Sequence, residues 1–231
     1  MMNENDKRVH SCQAFRLGVI DYEEALLLQN RLTEARGEEK VGDVLLVLQH
    51  PPVITMGKSG KVQNVLAPQA IQEKGIKVIF TDRGGDVTYH GPGQLVIYPI
   101  LNLRLHGLSV PGYVWKLEET VIRLLDHFGV HSGRKEKMRG VWVGNEKIAA
   151  LGVHLSRWIS KHGLALNVNT NLDPFDLINP CGTGRRATSM ARILGREFPM
   201  EEIEMLIIQC FAEVFEVSIS HEAKEELEAS L

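Results

Sequence analysis

The stretch from residue 140 to residue 168 constrains the fold more than any other part of the chain. It begins with two short β-rich segments, GVWV and EKI, on either side of Gly144-Asn145, a dipeptide typical of a tight hairpin turn. Apolar residues then alternate with polar or small ones through Val153 and again through Leu164. Because a period of two places side chains on opposite faces of a strand, this pattern predicts a meander of antiparallel strands.

Strands and helices also occur before and after this meander. The run VLLVL at residues 44–48, closed by two prolines, is typical of a strand buried on both faces. Shorter strands are predicted at residues 77–80 and 94–98, joined by a glycine-rich loop. Helical spacing of apolar residues predicts helices over residues 22–36, 114–128 and 203–214, the last followed by a polar helical tail.

Together these elements predict an α/β or α+β fold, with the amphipathic helix over residues 114–128 covering one face of a β-sheet. The chain contains no internal repeat and no linker rich in proline, glycine or serine. We therefore expect residues 13–231 to form one domain with a helical C-terminal extension. The polar residues 1–12, including Cys12, are expected to form a mobile N-terminal segment.

Composition and charge limit the function classes. The chain has 231 residues, 44% of them apolar, and a net charge of −3, so electrostatic attraction to nucleic acid or anionic lipid is not expected. No apolar run approaches the length of a membrane-spanning helix, and the three cysteines are too few for a disulfide framework. The sequence predicts a cytoplasmic protein with reduced thiols, no bound metal and no cofactor.

The loop RGGDVTYHGPGQ at residues 83–94 is a candidate ligand-binding segment. Its four glycines permit close approach of the backbone to a ligand, and Arg83, Tyr89 and His90 lie within the loop. A pair of tight structural turns explains the same composition equally well.

Cys181 is the candidate nucleophile among the three cysteines. Pro180 and Gly182 interrupt regular structure around it, whereas Cys210 lies on the apolar stripe of a helix and is predicted to be a core residue. A thiol with a pKa near its reference value of about 8.5 is only slightly ionised at neutral pH, so a nucleophilic role requires an activating group. Lys147, His154 and His162 are the candidates, and general chemistry slightly favours a histidine.

Three longer motifs carry a family resemblance. RGGDVTYHGPGQLVIYPI, KIAALGVHLSRWISKHGLALNVN and INPCG, in this order, resemble the lipoyl(octanoyl) transferases, which are octanoyl-[acyl carrier protein]:protein N-octanoyltransferases of lipoate biosynthesis. The resemblance extends from about residue 46 to about residue 205. It implies the mixed-sheet α/β fold of the catalytic domains of biotin and lipoate protein ligases.

The resemblance also implies roles for particular residues. Cys181 would carry the octanoyl group as a thioester, and Lys147, in place of a histidine, would lower the pKa of its thiol. The segments that match the family's substrate-binding motifs contain Arg83, Gly84, Gly85, Asp86, Val87, Thr88, Tyr89, His90, Ala150, Leu151, Gly152, Gly163, Leu164 and Ala165.

The partners implied by the resemblance are proteins. Octanoyl-acyl carrier protein would be the donor, and the lipoyl domains of 2-oxoacid dehydrogenase E2 subunits and the glycine cleavage H protein would be acceptors. Arg185 and Arg186 either meet an acidic partner surface or belong to a solvated loop. Two other functions remain open: an ATP-dependent lipoate protein ligase on the same fold, and a noncatalytic protein that binds acyl carrier or lipoyl domains.

Overall fold

The structure, a computed structural model, describes residues 10–179 and 186–229. Within these ranges the chain forms eleven strands, six helices and two short 3-10 turns. The strands are β1 His10–Val19, β2 Asp43–Gln49, β3 Val53–Met56, β4 Lys77–Phe80, β5 Val87–His90, β6 Gln94–Ile100, β7 Gly133–Lys135, β8 Met138–Val143, β9 Glu146–Ser156, β10 Ile159–Asn167 and β11 Val217–Glu222. The helices are α1 Tyr22–Gly37, α2 Pro68–Glu73, α3 Val110–His127, α4 Met190–Leu194, α5 Met200–Phe215 and α6 Lys224–Ala229, and the 3-10 turns are Val62–Asn64 and Asp173–Leu177.

The strands form two sheets. Eight strands lie in the order β11-β1-β2-β6-β10-β9-β8-β7, and three lie in the order β4-β3-β5. The large sheet is mixed, since β1 is parallel to both β2 and β11 whereas the neighbouring strands from β2 to β7 are antiparallel. The predicted mixed sheet flanked by helices is confirmed.

Strand β2 separates the two main hydrophobic clusters, as its continuous apolar sequence predicts. Leu45 and Val47 pack into the cluster that contains α3 and α5, whereas Leu46 and Leu48 pack into the cluster that contains α1. All four side chains are fully buried. Helices therefore cover both faces of the large sheet, and the strands between them need apolar residues at every position.

Most predicted elements are confirmed in the structure. Helices α1, α3 and α5, strands β2, β4 and β6, and the antiparallel series β8 to β10 all occur where the sequence patterns place them. The Gly144-Asn145 turn joins β8 to β9, and Gly144 has a φ of +54°.

Three expectations require correction. The loop between β4 and β6 contains strand β5, which pairs with β3. Residues 10–12 belong to β1 instead of a mobile segment, and Cys12 is 1% exposed because β1 is paired on both sides. The C-terminal extension includes strand β11, which adds to the edge of the large sheet next to β1.

None of the helices in the described part of the chain is both long enough and apolar enough to cross a membrane.

The turn between β9 and β10 offers a test of local backbone strain. Ser156 pairs with Ile159, so Arg157 and Trp158 form a two-residue turn, and both have positive φ values of +48° and +69°. This type I′ geometry favours Asn followed by Gly. We expect Arg157→Asn to raise the free energy of unfolding by roughly 0.5–1 kcal/mol, measured by chemical denaturation, because asparagine tolerates this conformation better than arginine.

Ser156→Asn is the matched control for this turn. Its position lies in the strand, so it should give no gain. Equal unfolding free energies for wild type, Arg157→Asn and the control would contradict the assignment of strain to the turn.

His50, at the end of β2, offers a test of pH dependence. It is fully buried, and its ring hydrogen-bonds to the Ile20 carbonyl and the Tyr98 hydroxyl, each at 2.8 Å. Burial lowers the pKa of His50 from 6.5 to about 4. Below pH 6.5 the unfolded chain therefore takes up a proton that the native protein does not, and stability is lost as the pH falls towards 4.

We expect this histidine to contribute a loss of about 3 kcal/mol between those pH values. His50→Asn keeps a donor for Ile20 but leaves the Tyr98 hydroxyl without its partner, which should cost about 1–3 kcal/mol at pH 7. Denaturant titrations from pH 7 to pH 4 should show a shallower pH dependence for the variant. Identical slopes would show that His50 does not titrate in this way.

Candidate active site

A cavity of about 840 Å³ lies over β9 and β10, beneath the loop that precedes β5. Its wall includes every residue predicted to bind substrate except Tyr89. These residues are Arg83, Gly84, Gly85, Asp86, Val87, Thr88, His90, Ala150, Leu151, Gly152, Gly163, Leu164 and Ala165. The structure thus brings together three segments that are separated by up to 80 residues in the sequence.

Small residues form the floor of the cavity. Ala150 pairs with Ala165, and Gly152 pairs with Gly163, in the antiparallel ladder between β9 and β10. A Cβ atom on Gly163 would lie 2.1 Å from the Ile97 carbonyl oxygen, so the adjacent strand excludes any side chain there. We refer to the part of the cavity that borders these four residues as the channel, to which Ala150 and Ala165 contribute only methyl groups.

The loop before β5 is fixed against this floor by its backbone. The Gly84 amide donates to the Val153 carbonyl at 2.9 Å, and a Cβ on Gly152 would lie 2.7 Å from the Gly84 carbonyl oxygen. Glycine at 152 is therefore required for the close contact between strand and loop.

Arg83 organises the same loop from inside. Its guanidinium is buried and donates to Thr55 Oγ1 at 3.0 Å, to the Thr55 carbonyl at 2.7 Å and to the Asp86 carbonyl at 2.7 Å. These bonds join the loop to strand β3. Arg83 therefore holds the cavity wall in place in addition to lining it.

Tyr89 lies away from the cavity. Its ring packs edge-on against Phe175 with centroids 5.5 Å apart, in a small apolar cluster under the three-stranded sheet. Thr88 and His90 lie on the opposite face of β5 and line the cavity, whereas Val87 shares the face of Tyr89 and reaches the cavity from the start of the strand, next to the loop.

Lys147 lies half-buried near the start of β9 and lines the cavity. Its amide donates to the Arg186 carbonyl and its carbonyl accepts from the Thr188 amide, both at 3.0 Å. Its ammonium lies 4.9 Å from the centroid of the Trp142 ring, a cation–π contact.

Cys181 lies outside the described residues. Asn179 and Arg186, on either side of that gap, both line the cavity.

The two candidate histidines lie at the other end of the site. His162 pairs with Val153 in the ladder, six positions along β9 from Lys147, which corresponds to roughly 20 Å at ~3.3 Å per residue. Its Nε2 lies 2.7 Å from Asp82 Oδ1, and burial lowers its pKa to about 4. At neutral pH it is therefore uncharged, and Nε2–H donates to the carboxylate.

His154 occupies the outer side of Asp82. Its Nε2 lies 3.6 Å from Asp82 Oδ2 and its Nδ1 lies 3.1 Å from the Lys58 ammonium. His154 does not belong to the cavity wall. The ladder distance separates both histidines from Lys147, so neither is placed to act on a group beside that lysine.

Sequence reasoning missed a polar wall that joins two of the motifs. Gln94 donates to Asn167 Oδ1 at 2.9 Å, and Asn167 donates to the Thr188 carbonyl at 2.9 Å. His90 Nδ1 lies 2.8 Å from Gln94 Oε1 in the same network. The sequence signal was that Gln94 and Asn167 are polar residues at the ends of the largely apolar runs QLVIYPI and GLALN.

Among the residues that the structure describes, no three histidine, cysteine, aspartate or glutamate side chains are grouped so that they could hold a metal ion.

Sequence comparisons connect this geometry to known proteins. A family model described as the lipoyl protein ligase A/B catalytic domain matches residues 21–212. An octanoyltransferase of Desulforamulus reducens is 47% identical over 204 residues, covering 87% of this chain and 90% of its own. An octanoyltransferase of Caldicellulosiruptor bescii is 46% identical over 215 residues, covering 91% and 94%.

Solved structures share the fold at much lower identity. A lipoate-protein ligase A bound with ATP has a TM-score of 0.76 at 15% identity, covering 95% of this chain and 92% of its own. A putative lipoate protein ligase from T. acidophilum has a TM-score of 0.75 at 15% identity with the same coverage. A biotin protein ligase from Aquifex aeolicus has a TM-score of 0.57 at 16% identity, covering 88% and 69%.

The predicted fold relationship to biotin and lipoate ligases is therefore confirmed, and so is the predicted relationship to octanoyltransferases. Its relatives at 46% and 47% sequence identity are octanoyltransferases, a class of transferases, and the chain belongs to the lipoyl protein ligase A/B catalytic domain family.

Proposed function

We propose that this protein is a lipoyl(octanoyl) transferase that moves an octanoyl group from acyl carrier protein to a lysine ε-amine on a lipoyl domain. The reaction proceeds through a thioester on Cys181 and belongs to lipoate biosynthesis. The observation that carries the proposal is that one cavity, with a floor of small residues, has Lys147 in its wall. Relatives that are 46% and 47% identical in sequence are octanoyltransferases. This similarity favours acyl transfer over ATP-dependent ligation.

The position of Lys147 supports its assignment as the activating group. Its backbone is hydrogen-bonded to residues 186 and 188, directly after the segment that contains Cys181. Chain connectivity also keeps Cys181 two residues from Asn179, which lines the same cavity. A nearby ammonium favours the thiolate form of a cysteine, because opposite charges attract strongly where water is largely excluded.

The two half-reactions conserve atoms and charge. The Cys181 thiolate attacks the octanoyl carbonyl carbon, the bond to the carrier sulfur breaks, and the carrier thiol leaves with a proton from Lys147. The acceptor amine then attacks the Cys181 thioester, an amide bond forms, and the cysteine sulfur leaves with the electron pair of the broken bond. The neutral Lys147 amine takes the proton released by the attacking amine, which restores the starting state.

The channel supplies binding energy for the acyl chain. Burying an eight-carbon chain contributes roughly 5 kcal/mol at ~0.8 kcal/mol per methylene. Ala150 and Ala165 leave room for the chain, and the buried histidines around it carry no charge at neutral pH because burial lowers the pKa values of His90 and His162. Such a wall accepts hydrocarbon without leaving a buried charge unpaired.

The first prediction concerns the acyl-enzyme. Incubation with octanoyl-acyl carrier protein should add one octanoyl group to the wild-type protein, detected by intact mass and located on Cys181 by peptide mapping. The adduct should be released by hydroxylamine, as a thioester is. Cys181→Ser should form no thioester adduct, whereas Cys210→Ser, which changes a buried cysteine on α5, should be acylated like the wild type.

An unmodified wild-type protein, or an adduct on another residue, would contradict the proposal. Acylation that requires ATP and free octanoate or lipoate would instead identify a ligase. Binding of either partner protein without transfer would identify a noncatalytic role.

The second prediction concerns Lys147. Lys147→Ala should slow thioester formation by roughly 100-fold or more, because both the favourable charge and the proton donor are lost. The apparent pKa of the thiol, measured from the pH dependence of alkylation by iodoacetamide, should rise towards about 8.5. Lys147→Arg should keep a lowered thiol pKa but stay slow in transfer, since a guanidinium retains its proton.

Lys40→Ala serves as the control because Lys40 is exposed, pairs with Glu38 and lies outside the cavity wall. An alkylation profile that is the same for Lys147→Ala and the wild type would refute the role assigned to Lys147.

A further inference from the structure

His162 has an unusual backbone conformation for a residue inside a strand. Its φ is +58°, in the left-handed region that residues other than glycine rarely adopt. Its neighbours Leu164 and Leu166 pack with α3 and α5, and strict alternation would place the His162 side chain on that same face. The left-handed backbone instead places the ring beside Tyr98, with centroids 6.2 Å apart, on the face where Ala165 lies.

Two hydrogen bonds hold the ring and its backbone in place, and a third fixes Asp82, the partner of the ring. Asp82 accepts from His162 Nε2 at 2.7 Å and from the Lys161 ammonium at 2.8 Å. The His162 amide donates to Gln29 Oε1 on α1 at 2.8 Å. The side chain is 1% exposed, so the ring is a rigid part of the wall. Strained residues fixed in this way are concentrated at ligand sites.

The ring lies one ladder step beyond the small residues of the channel floor. Along the β9–β10 ladder the floor runs from the Ala150–Ala165 pair to the Gly152–Gly163 pair, and the next pair is Val153 with His162. The floor therefore changes from residues with little or no side chain to an imidazole within one step of the ladder.

The two ends of the cavity differ in exposure. At the Lys147 end, the wall includes Lys137 and Arg186, both exposed to solvent. At the His162 end, it includes Tyr98, whose ring packs against that of His162, and both residues are buried. A protein-borne thioester has to react at the open end, so the acyl tail points towards His162.

We propose that His162 is the end wall of the acyl channel and sets the longest chain that the enzyme accepts. This inference rests on the proposed octanoyl transfer. A longer chain has to displace a ring that is fixed by Asp82 and Gln29. It also meets Nδ1, a buried nitrogen that has no hydrogen-bond partner among the described residues and that a methyl group cannot satisfy.

The test compares chain lengths in one competition. Equal amounts of octanoyl-, decanoyl- and dodecanoyl-acyl carrier protein are mixed with the enzyme, and the acyl-enzyme products are quantified by intact mass. His162→Gly removes the ring and suits the positive φ, so the ratio of decanoyl to octanoyl adduct should rise by about tenfold or more. His162→Asn, which also tolerates this backbone and is smaller than histidine, should give an intermediate ratio.

His154→Ala is the matched control, since it also removes a histidine next to Asp82 but lies outside the cavity wall. Its product ratio should equal that of the wild type. A melting-temperature shift with free octanoate, decanoate and dodecanoate, measured on each protein, reports on channel length independently of transfer.

The outcomes separate the two proposals. Octanoyl transfer by all proteins with unchanged ratios and unchanged fatty-acid shifts would overturn the role of His162 and leave the proposed function standing. Absence of transfer in the wild type would overturn the proposed function, and the melting shifts would still support or refute His162 as the end of the channel. A change of ratio in His154→Ala equal to that in His162→Gly would assign the effect to Asp82 and refute the end-wall role.

Discussion

Close backbone contact at two glycines is the constraint on which the site depends. At Gly163, the Ile97 carbonyl oxygen occupies the space that any side chain would need, and at Gly152 the Gly84 carbonyl does the same. These contacts bring β6, β10, β9 and the loop before β5 into one wall. Because glycine has no side chain at either position, the strands and the loop that line the channel can approach one another this closely.

Charge is distributed around this channel in a way that suits an apolar ligand. Burial alone would raise the pKa of Asp82, but hydrogen bonds from His162 and Lys161 hold it below its usual range, so this carboxylate stays ionised on the outer side of the histidine. The histidines that line the channel are neutral because burial lowers their pKa values. A cationic side chain, Lys147, lies at the end where reacting atoms are proposed to meet.

The elements that sequence reasoning found are those whose signal is local. Strand β2 is apolar at nearly every position, and α3 carries its apolar residues at helical spacing, so both could be predicted. Strands β1 and β11 were missed because their parallel pairing joins residues about 200 positions apart, which no local pattern reports. Strand β5 was hidden within a glycine-rich loop, where its partner β3 is also short.

The sequence by itself determined the family and the segments that line the cavity, because these depend on motifs of consecutive residues. It also determined the helices and the buried strand β2, whose apolar patterns are local. Only the tertiary structure decided which face each residue occupies. Tyr89 packs edge-on against Phe175 instead of lining the cavity, and His162 lines the cavity because its left-handed backbone breaks the alternation of β10. It also separated Lys147 from both histidines. His154 lies further along the same strand β9, and His162 lies opposite Val153, in a register of β9 against β10 that residue order alone does not fix.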